Sequence, residues 1–179
     1  MMKHLLIGLC LLSIAAPASA FFGPKKTSEY EYENEKPWVE IQGKMPDYPK
    51  PENLLEFDAG PASNNLHFVD SSSISVGEDG VVRYSLVVKS PTGAMNVSYE
   101  GIRCQTNERK VYAYGRANNE AWSPAKMGKW VDMENIKQNY AQRALFRYFF
   151  CPLGTEMIKD ADEAVRALKA GGHPKAVKY

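Results

Sequence analysis

Three side chains that could take part in chemistry lie close together in the stretch NVSYEGIRCQ at residues 96–105. Glu100 supplies a carboxylate, Arg103 a guanidinium and Cys104 a thiol. A thiolate beside a cation is a nucleophile, whereas a cysteine that ends a strand can also form one end of a structural disulfide. The redox compartment and the number of other cysteines decide between these two interpretations.

The first 20 residues have the pattern of a secretory signal peptide. A basic start at Lys3 precedes an apolar run, and the segment closes on the small residues Ala-Ser-Ala ending at Ala20. The run is shorter than the roughly 20 residues of a membrane span, so we expect cleavage after Ala20 and a mature chain without a transmembrane segment. Cys10 lies inside the run rather than directly after it, which predicts a periplasmic protein without a lipid anchor.

Export determines the redox state of the remaining cysteines. Removal of residues 1–20 leaves Cys104 and Cys151 in a compartment where disulfides persist. Two cysteines allow one intramolecular pairing, and closing this loop stabilises the fold by about 4 kcal/mol in the chain-entropy model.

The chain between residues 37 and 57 reads as irregular structure on the surface. Prolines stand at positions 37, 46, 49 and 51, and proline lacks an amide donor and fixes its own φ. We therefore expect an extended or turn-like segment whose anchors to the core include Trp38, Val39 and Ile41.

Residues 65–116 have the two-residue periodicity and the turn signals of an antiparallel meander. An Asp-Gly signal between Gly77 and Gly80 predicts a hairpin, and the run VVRYSLVVKS alternates apolar and polar side chains. In the next strand the apolar positions change phase at Gly101. This change predicts a β-bulge at Gly101 that turns Cys104 into the core.

The C-terminal third has helical periodicity. The run IKQNYAQRALFRYFF forms one broad apolar stripe that begins at Ile136 and continues to Cys151, and Pro152 ends the helix. A short terminal helix follows, with Asp160 and Glu163 at the capping-box spacing.

These elements predict an α+β fold, in which an antiparallel meander of about four to six strands packs on one main C-terminal helix and a short terminal helix. The bulged strand and the end of the main helix both point a cysteine at their interface. We therefore predict a Cys104–Cys151 disulfide, so that Cys104 is a structural residue and not a nucleophile. The predicted organisation is a signal peptide (1–20), a flexible acidic lead (21–36), a single domain (37–170) and a frayed tail (171–179).

Signals for catalysis or for a metal are sparse in the mature chain. Of its two histidines, His173 is predicted to be a solvent-exposed tail residue. His67 precedes Asp70 by three residues, which on a strand places the two side chains on opposite faces. The sequence contains no G-x-S-x-G elbow, zinc-ligand spacing or phosphate-binding glycine motif. We predict no cofactor, no metal and no catalytic residue.

Charged and aromatic residues are better candidates, for a binding surface. Glu100 and Arg103 are predicted either to form an ion pair beside the bulge or to serve as a polar recognition point. Four aromatic residues cluster around one loop: Tyr112, Tyr114, Trp122 and Trp130. They are expected to be core and rim packing residues or, alternatively, interface anchors.

Charge is distributed unevenly along the chain. The mature chain has 21 basic and 21 acidic residues, which argues against bulk binding of nucleic acid. Residues 21–60 hold nine acids and five bases, whereas residues 81–151 hold eleven bases and five acids. We expect the acidic segment to lie over or near a basic face; the alternative is that this face meets an anionic partner.

A resemblance to a known family covers residues 38–168. The run FVDSSSISVGEDGVVRYSLVVKSPTGAMNVSYEGIRC, with KVYAYGR, the paired Trp122 and Trp130, and FRYFFCP, resembles the cryptic neisserial protein 1-like family. The resemblance implies an exported bacterial envelope protein with no assigned biochemical activity. Some members look like lipoproteins, but this chain lacks the anchor cysteine at its cleavage site. A sheet followed by a helix with a closing cysteine is also similar to surface adhesin E proteins, which bind host matrix.

The predicted function is that of a periplasmic, non-enzymatic domain that binds or scaffolds a partner. The partner would be an envelope protein or an anionic envelope component, and not a nucleic acid. The alternatives are a surface adhesin-like protein and a hydrolase that uses carboxylates such as Glu100 or Asp70 without a recognisable motif.

Overall fold

The computed structural model describes residues 37–116, 118, 120–134 and 138–176. The predicted signal peptide (1–20) and acidic lead (21–36) lie outside the described residues. Within the described ranges, no helix combines the length and the apolar character that crossing a bilayer requires.

The described residues form one antiparallel sheet of seven strands. The strands are β1 (Leu54–Phe57), β2 (Leu66–Val76), β3 (Val81–Lys89), β4 (Met95–Arg103), β5 (Glu108–Arg116), β6 (Ala121–Pro124) and β7 (Val131–Asp132). The first six strands pair in chain order, and β7 pairs with β5. The predicted α+β class and meander are confirmed, and β1 and the two-residue β7 enlarge the sheet.

Glycines at positive φ make the tight turns between the central strands. Gly80 has φ +76° before β3, and Gly93 has φ +88° before β4, which is a conformation that glycine adopts without a Cβ clash. The amide of Gly80 donates to the carbonyl of Gly77 over 3.0 Å. The hairpin predicted from the Asp-Gly signal is therefore confirmed.

Both faces of the sheet are covered. Along β3 the alternating residues Val82, Tyr84 and Leu86 lie in the core beneath the helices, as the period of two predicts. We call this side the helix face. Irregular chain at residues 38–50, named the strap, lies over the opposite side, which we call the strap face.

The helical layer differs in detail from the prediction. It consists of α1 (Tyr140–Ala144), a π-helix (Leu145–Phe150) and α2 (Ala161–Lys169). The main helix was expected to be an α-helix throughout, but its second half is wound more loosely, and Ile136 lies outside the described residues. The looser winding buries Leu145, Phe149 and Phe150 together, although Phe149 and Phe150 are adjacent in sequence.

The terminal helix begins with the predicted capping pair. Asp160 accepts a hydrogen bond from the amide of Glu163 over 2.7 Å, and the Glu163 carboxylate accepts one from the amide of Lys159 over 2.6 Å. The expectation for His173 is wrong. This residue is buried, with its ring 3.1 Å from the Glu163 carboxylate and its amide bonded to the carbonyl of Tyr148.

The β-bulge predicted at Gly101 is not there. β4 pairs with β3 without interruption along its whole length. The register shifts instead between β4 and β5, where Tyr112 is the extra residue on β5, and between β2 and β3 after Asp70. Gly101 has a different role, because a Cβ at this position would lie 2.7 Å from the Tyr112 hydroxyl. The glycine makes room for that ring.

The phase change in β4 has a simpler cause, which is burial on both faces of the sheet. Val97 and Tyr99 are buried on the strap face, whereas Ile102 and Cys104 are buried in the core of the helix face. Apolar residues at odd and then at even positions therefore belong to one regular strand. Cys104 points into the core, as predicted, without any bulge.

Candidate functional site

The disulfide settles the chemistry of Cys104. Cys104 and Cys151 are bonded, with their Cα atoms 5.5 Å apart, and both are buried. The bond ties the end of β4 to the end of the π-helix across the core. Cys104 is therefore a structural residue, as predicted.

Glu100 is a buried carboxylate on the helix face and not part of an exposed recognition point. It accepts hydrogen bonds from Ser98 Oγ over 2.6 Å and from Gln142 Nε2 over 2.9 Å. Arg109 Nη1 lies 3.9 Å from the same carboxylate. Arg103 lies on the strap face, where it stacks 3.8 Å over the ring of Trp38. The predicted Glu100–Arg103 ion pair is therefore wrong.

The two carboxylates considered for a hydrolase lie on opposite faces of the sheet. Asp70 pairs in register with Ser85, whose side chain points away from the helices, whereas Glu100 points toward them. Asp70 is itself buried and accepts hydrogen bonds from the amide and the hydroxyl of Ser72. Because general acid–base catalysis by a pair needs both groups at one bond, these two carboxylates do not form such a pair. His67 lies on the helix face, opposite to Asp70, as predicted.

Aromatic side chains converge on the strap face. The six rings are Trp38, Tyr48, Tyr99, Tyr112, Trp122 and Trp130. Neighbouring centroids lie between 5.3 and 6.5 Å apart, in tilted or edge-to-face arrangements that aromatic pairs prefer. Three members of the predicted quartet belong to this cluster. Tyr114 does not, because it is exposed beside Ser98 on the other face.

The acidic end of the strap is held by one cation and one indole. Lys110 Nζ donates to Glu40 Oε2 over 2.7 Å, and Trp130 Nε1 donates to the same oxygen over 3.3 Å. Burial raises the pKa of Glu40, but the surrounding donors, of which Lys110 has the largest effect, outweigh it and hold the pKa below its usual value. This pair agrees with the prediction that an acidic segment covers a basic face.

A buried ion pair forms hydrogen bonds with the strap backbone. Asp79 accepts a hydrogen bond from the amide of Ile41 over 2.8 Å, and Arg83 Nη2 donates to the carbonyl of Ile41 over 2.7 Å. Arg83 and Asp79 bind each other through two hydrogen bonds. Burial raises the pKa of Asp79, but the bonds from Arg83 and Ile41 more than offset it, so the carboxylate stays ionised.

Further along, the strap is held by Trp122. Its indole Nε1 donates to the carbonyl of Pro46 over 2.8 Å, and its ring packs 5.5 Å from that of Tyr48. Gly115 allows this approach, since a Cβ there would lie 2.9 Å from the Tyr48 ring. Trp38, as predicted, is an anchor, whereas Val39 and Ile41 expose 76% and 47% of their surface and are not.

A small polar cavity of about 180 Å³ lies between the strap and the sheet. Arg83, Lys110, Tyr99 and Tyr112 line its sheet side, and Gly43 is among the residues on its strap side. The Arg83 Nε atom is buried there and has no hydrogen-bond partner among the described residues. A buried N–H donor of this kind favours an acceptor oxygen in the cavity.

Several of these contacts were missed in the sequence because their partners are far apart in the chain. Glu40 and Lys110 are separated by 70 residues, and Arg83 and Ile41 by 42. A further contact that sequence reasoning missed is local: Ser63 Oγ lies 3.2 Å from His67 Nε2, four residues along the chain, beside an open cavity of about 430 Å³. Burial lowers the pKa of His67, so its imidazole is neutral at pH 7. The described residues contain no cluster of His, Cys, Asp or Glu side chains that could hold a metal ion.

The fold and the site define a class: an α+β domain with a disulfide-linked helical layer on one face of its sheet and an extended segment held by side chains on the other. By sequence, the chain belongs to the CNP1-like family, whose sequence model matches residues 33–169. It is similar to Cryptic neisserial protein 1 of Neisseria gonorrhoeae (strain ATCC 700825 / FA 1090), with 30% identity over 112 residues. That match covers 56% of this chain and 54% of the relative, so the chain spans about half the length of that curated protein. No solved structure matches the chain.

Proposed function

We propose that the chain is an exported, non-enzymatic binding domain of the bacterial envelope, and that the strap face is its binding surface. The observation that carries the proposal is the composition of this face. Four strands and the loop before β7 contribute aromatic rings and cations to it, and the described chain above them has neither helix nor strand. Interfaces are enriched in aromatic residues and arginine, which anchor a partner by burial and by directed hydrogen bonds.

The exposed apolar side chains of the strap support the same surface. Trp38, Ile41 and Met45 expose between 37% and 47% of their surface, and they lie near the cations Arg103 and Lys110. An apolar patch rimmed by charged groups is typical of a protein–protein contact. An envelope protein is thus the partner that we favour, and the anionic envelope component is the second candidate.

Export is supported by two features of the chain. The first 20 residues have the signal-peptide pattern, and a buried disulfide persists in an oxidising compartment. The test is the mass of the protein recovered from a periplasmic fraction of cells that express the complete chain. We expect a mature N-terminus at Phe21, and an uncleaved cytoplasmic protein would refute this part of the proposal.

The binding surface is tested by photo-crosslinking in cells. A photoreactive amino acid at Ile41 reports on the strap face, and the matched control at Leu153 lies in the helical layer and is 52% exposed. We expect a defined crosslinked partner from position 41 and none from position 153. If the two positions give the same products, the strap face is not the binding surface.

Absence of catalysis is tested with a serine-directed covalent probe, because the Ser63–His67 contact is the arrangement that most nearly resembles a catalytic pair. Among the described residues, no carboxylate is hydrogen-bonded to the His67 imidazole, so the pair lacks the third group of a catalytic triad. We expect no labelling of Ser63 by a fluorophosphonate. Labelling that disappears in Ser63→Ala, together with ester hydrolysis, would contradict the non-enzymatic proposal.

A further inference from the structure

We propose that the strap face is a groove for a proline-containing peptide with one acidic anchor residue, and that the strap occupies this groove as an internal ligand. The proposal deepens the binding function proposed above and rests on it. Its basis is the way in which the sheet holds residues 38–50, because each contact described above is one that a peptide from another protein could make.

Side chains of the groove form hydrogen bonds with the backbone of the bound segment. Asp79 and Arg83 bind the amide and the carbonyl of Ile41, and the Trp122 indole binds the carbonyl of Pro46. These contacts are made to backbone atoms and do not depend on the identity of residue 41, whose side chain is half exposed. An indole that donates to a carbonyl beside aromatic rings is the mode by which aromatic-lined grooves bind proline-rich segments.

Two further sites in the groove bind side chains of the segment, those of Glu40 and Trp38. Lys110 and Trp130 bind the carboxylate of Glu40, which selects an acidic residue. Two residues before it, Trp38 lies between Arg103, 3.8 Å above its ring, and Trp130, whose ring is edge-on at 5.7 Å. The preferred ligand therefore has an aromatic residue two positions before an acidic one, and a proline that follows the acidic residue at the distance of Pro46 from Glu40.

The occupant can be exchanged because the sheet does not incorporate it. Residues 38–50 make no strand pairing, and the backbone bonds of Ile41 and Pro46 go to side chains of the sheet and of the β2–β3 turn. The strap is tethered, so its effective concentration at the groove is in the millimolar range. A peptide in solution competes poorly with a tethered copy, and the groove must be freed before weaker ligands can be measured.

The test uses the mature chain with the variant Glu40→Lys, which places like charges together and frees the groove. The probe is a fluorescein-labelled peptide with the sequence of residues 37–50, PWVEIQGKMPDYPK, and binding is followed by fluorescence anisotropy. We expect this variant to bind the peptide at least tenfold more tightly than the wild-type chain does. Equal affinity for a scrambled peptide would overturn the proposal.

A charge exchange supplies the matched controls. The variant Lys110→Glu also frees the strap, but it should bind only a peptide in which the glutamate is replaced by lysine. The double variant Glu40→Lys/Lys110→Glu restores the pair with reversed charges and should bind neither peptide. If all three variants bind the original peptide alike, Lys110 does not read the ligand and the proposed groove is wrong.

A second measurement avoids any variant that fails to fold. The chain has three tryptophans, and all of them lie on the strap face. In the wild-type chain, the indole N–H signal of Trp38 should move when unlabelled peptide at millimolar concentration displaces the strap, whereas the signals of Trp122 and Trp130 should stay in place because the peptide makes the same contacts. An unchanged Trp38 signal would overturn the proposal.

The two proposals can fail separately. If Ile41 gives crosslinks in cells but no peptide binds in solution, the binding function stands and the peptide groove is wrong. If the peptide binds but no crosslinks form, the groove stands and the proposed envelope partner is wrong.

Discussion

The two faces of the sheet are held together by different kinds of interaction. On the helix face, Leu145, Phe149 and Phe150 pack into an apolar core that a covalent bond closes. On the strap face, hydrogen bonds and ion pairs from side chains hold the chain segment, including those of Arg83 and Lys110. A disulfide over this loop length is worth about 4 kcal/mol, whereas one hydrogen bond contributes about 1 kcal/mol net.

This difference suggests a division of roles. The helix face is stabilised by apolar packing and by the disulfide, and its stability does not depend on any one polar contact. The strap face is held by contacts that can break one at a time and that another chain could replace. Arg83 Nε, a buried donor without a partner among the described residues, lies on the strap face, where a ligand could satisfy it.

The largest expected effect is loss of the disulfide. The double variant Cys104→Ser/Cys151→Ser should lower the free energy of unfolding by about 4 kcal/mol, because the unfolded chain regains the freedom of a loop with a sequence separation of 47. Urea denaturation followed by far-UV circular dichroism measures it. Reductant should destabilise the wild-type chain and leave the double variant unchanged. A difference below about 1 kcal/mol would mean that packing alone holds the helical layer.

The next effect tests whether the Asp79–Arg83 ion pair on the strap face stays formed when the strap is released. Asp79→Ala leaves the guanidinium of Arg83 buried without its carboxylate, which should cost about 3 kcal/mol. Urea denaturation gives the value, and the double variant Asp79→Ala/Arg83→Met should recover at least half of it. If Asp79→Ala does not change the free energy of unfolding, the ion pair does not stabilise the sheet independently of the strap.

A smaller effect is expected from the polar cluster around Glu100 on the helix face. Gln142→Leu removes the amide that donates to Glu100 and leaves that carboxylate with the hydroxyls of Ser98 and Tyr84 and with Arg109 at 3.9 Å. We expect a loss of about 2 kcal/mol, because a buried charged acceptor loses a donor. The free energy of unfolding of Gln142→Asn, which keeps an amide but shortens its reach, should fall between those of Gln142→Leu and the wild type. Equal stability of all three chains would show that water replaces the amide.

The helix face was also the more predictable of the two. The period of two in β3 and the two mature cysteines are local signals, and they predicted the core side of β3 and the disulfide correctly. The Gly101 bulge was a wrong interpretation, because a change of apolar phase also arises when a strand is buried on both faces. That second burial depends on a strap that returns across the sheet from residues 38–50, and no local pattern encodes such a return.

The partners of the strap were beyond the reach of sequence reasoning for the same reason. Trp130 meets Glu40 across 90 residues, and Trp122 meets Pro46 across 76. Composition revealed only that an acidic segment precedes a basic one, which agrees with the Glu40–Lys110 pair but does not identify it. Of the six residues predicted for a binding surface, four lie on the strap face (Arg103, Tyr112, Trp122 and Trp130), whereas Glu100 and Tyr114 lie away from it. Their role in binding stays a prediction.

The smallest effect is a pH-dependent release of the strap. Hydrogen bonds hold the pKa values of Glu40 and Asp79 below their ordinary values of 4.5 and 3.8, so folding stabilises the charged forms. Their contribution to stability is complete above those ordinary values and is lost as the pH falls below them, through the lower pKa values of the folded state. Acidification should therefore loosen the strap while the disulfide, which does not titrate, still holds the helix face.

Tryptophan emission measures this release, because all three tryptophans lie on the strap face. The titration is made in a His67→Phe background, since burial lowers the pKa of His67 and its protonation would add a transition on the helix face. We expect the emission to change below about pH 4 at constant far-UV circular dichroism. The variant Glu40→Gln/Asp79→Asn should start from the released emission and stay flat. Simultaneous loss of both signals would show that the two faces unfold as one unit, and the difference in strength between them would then have no functional consequence.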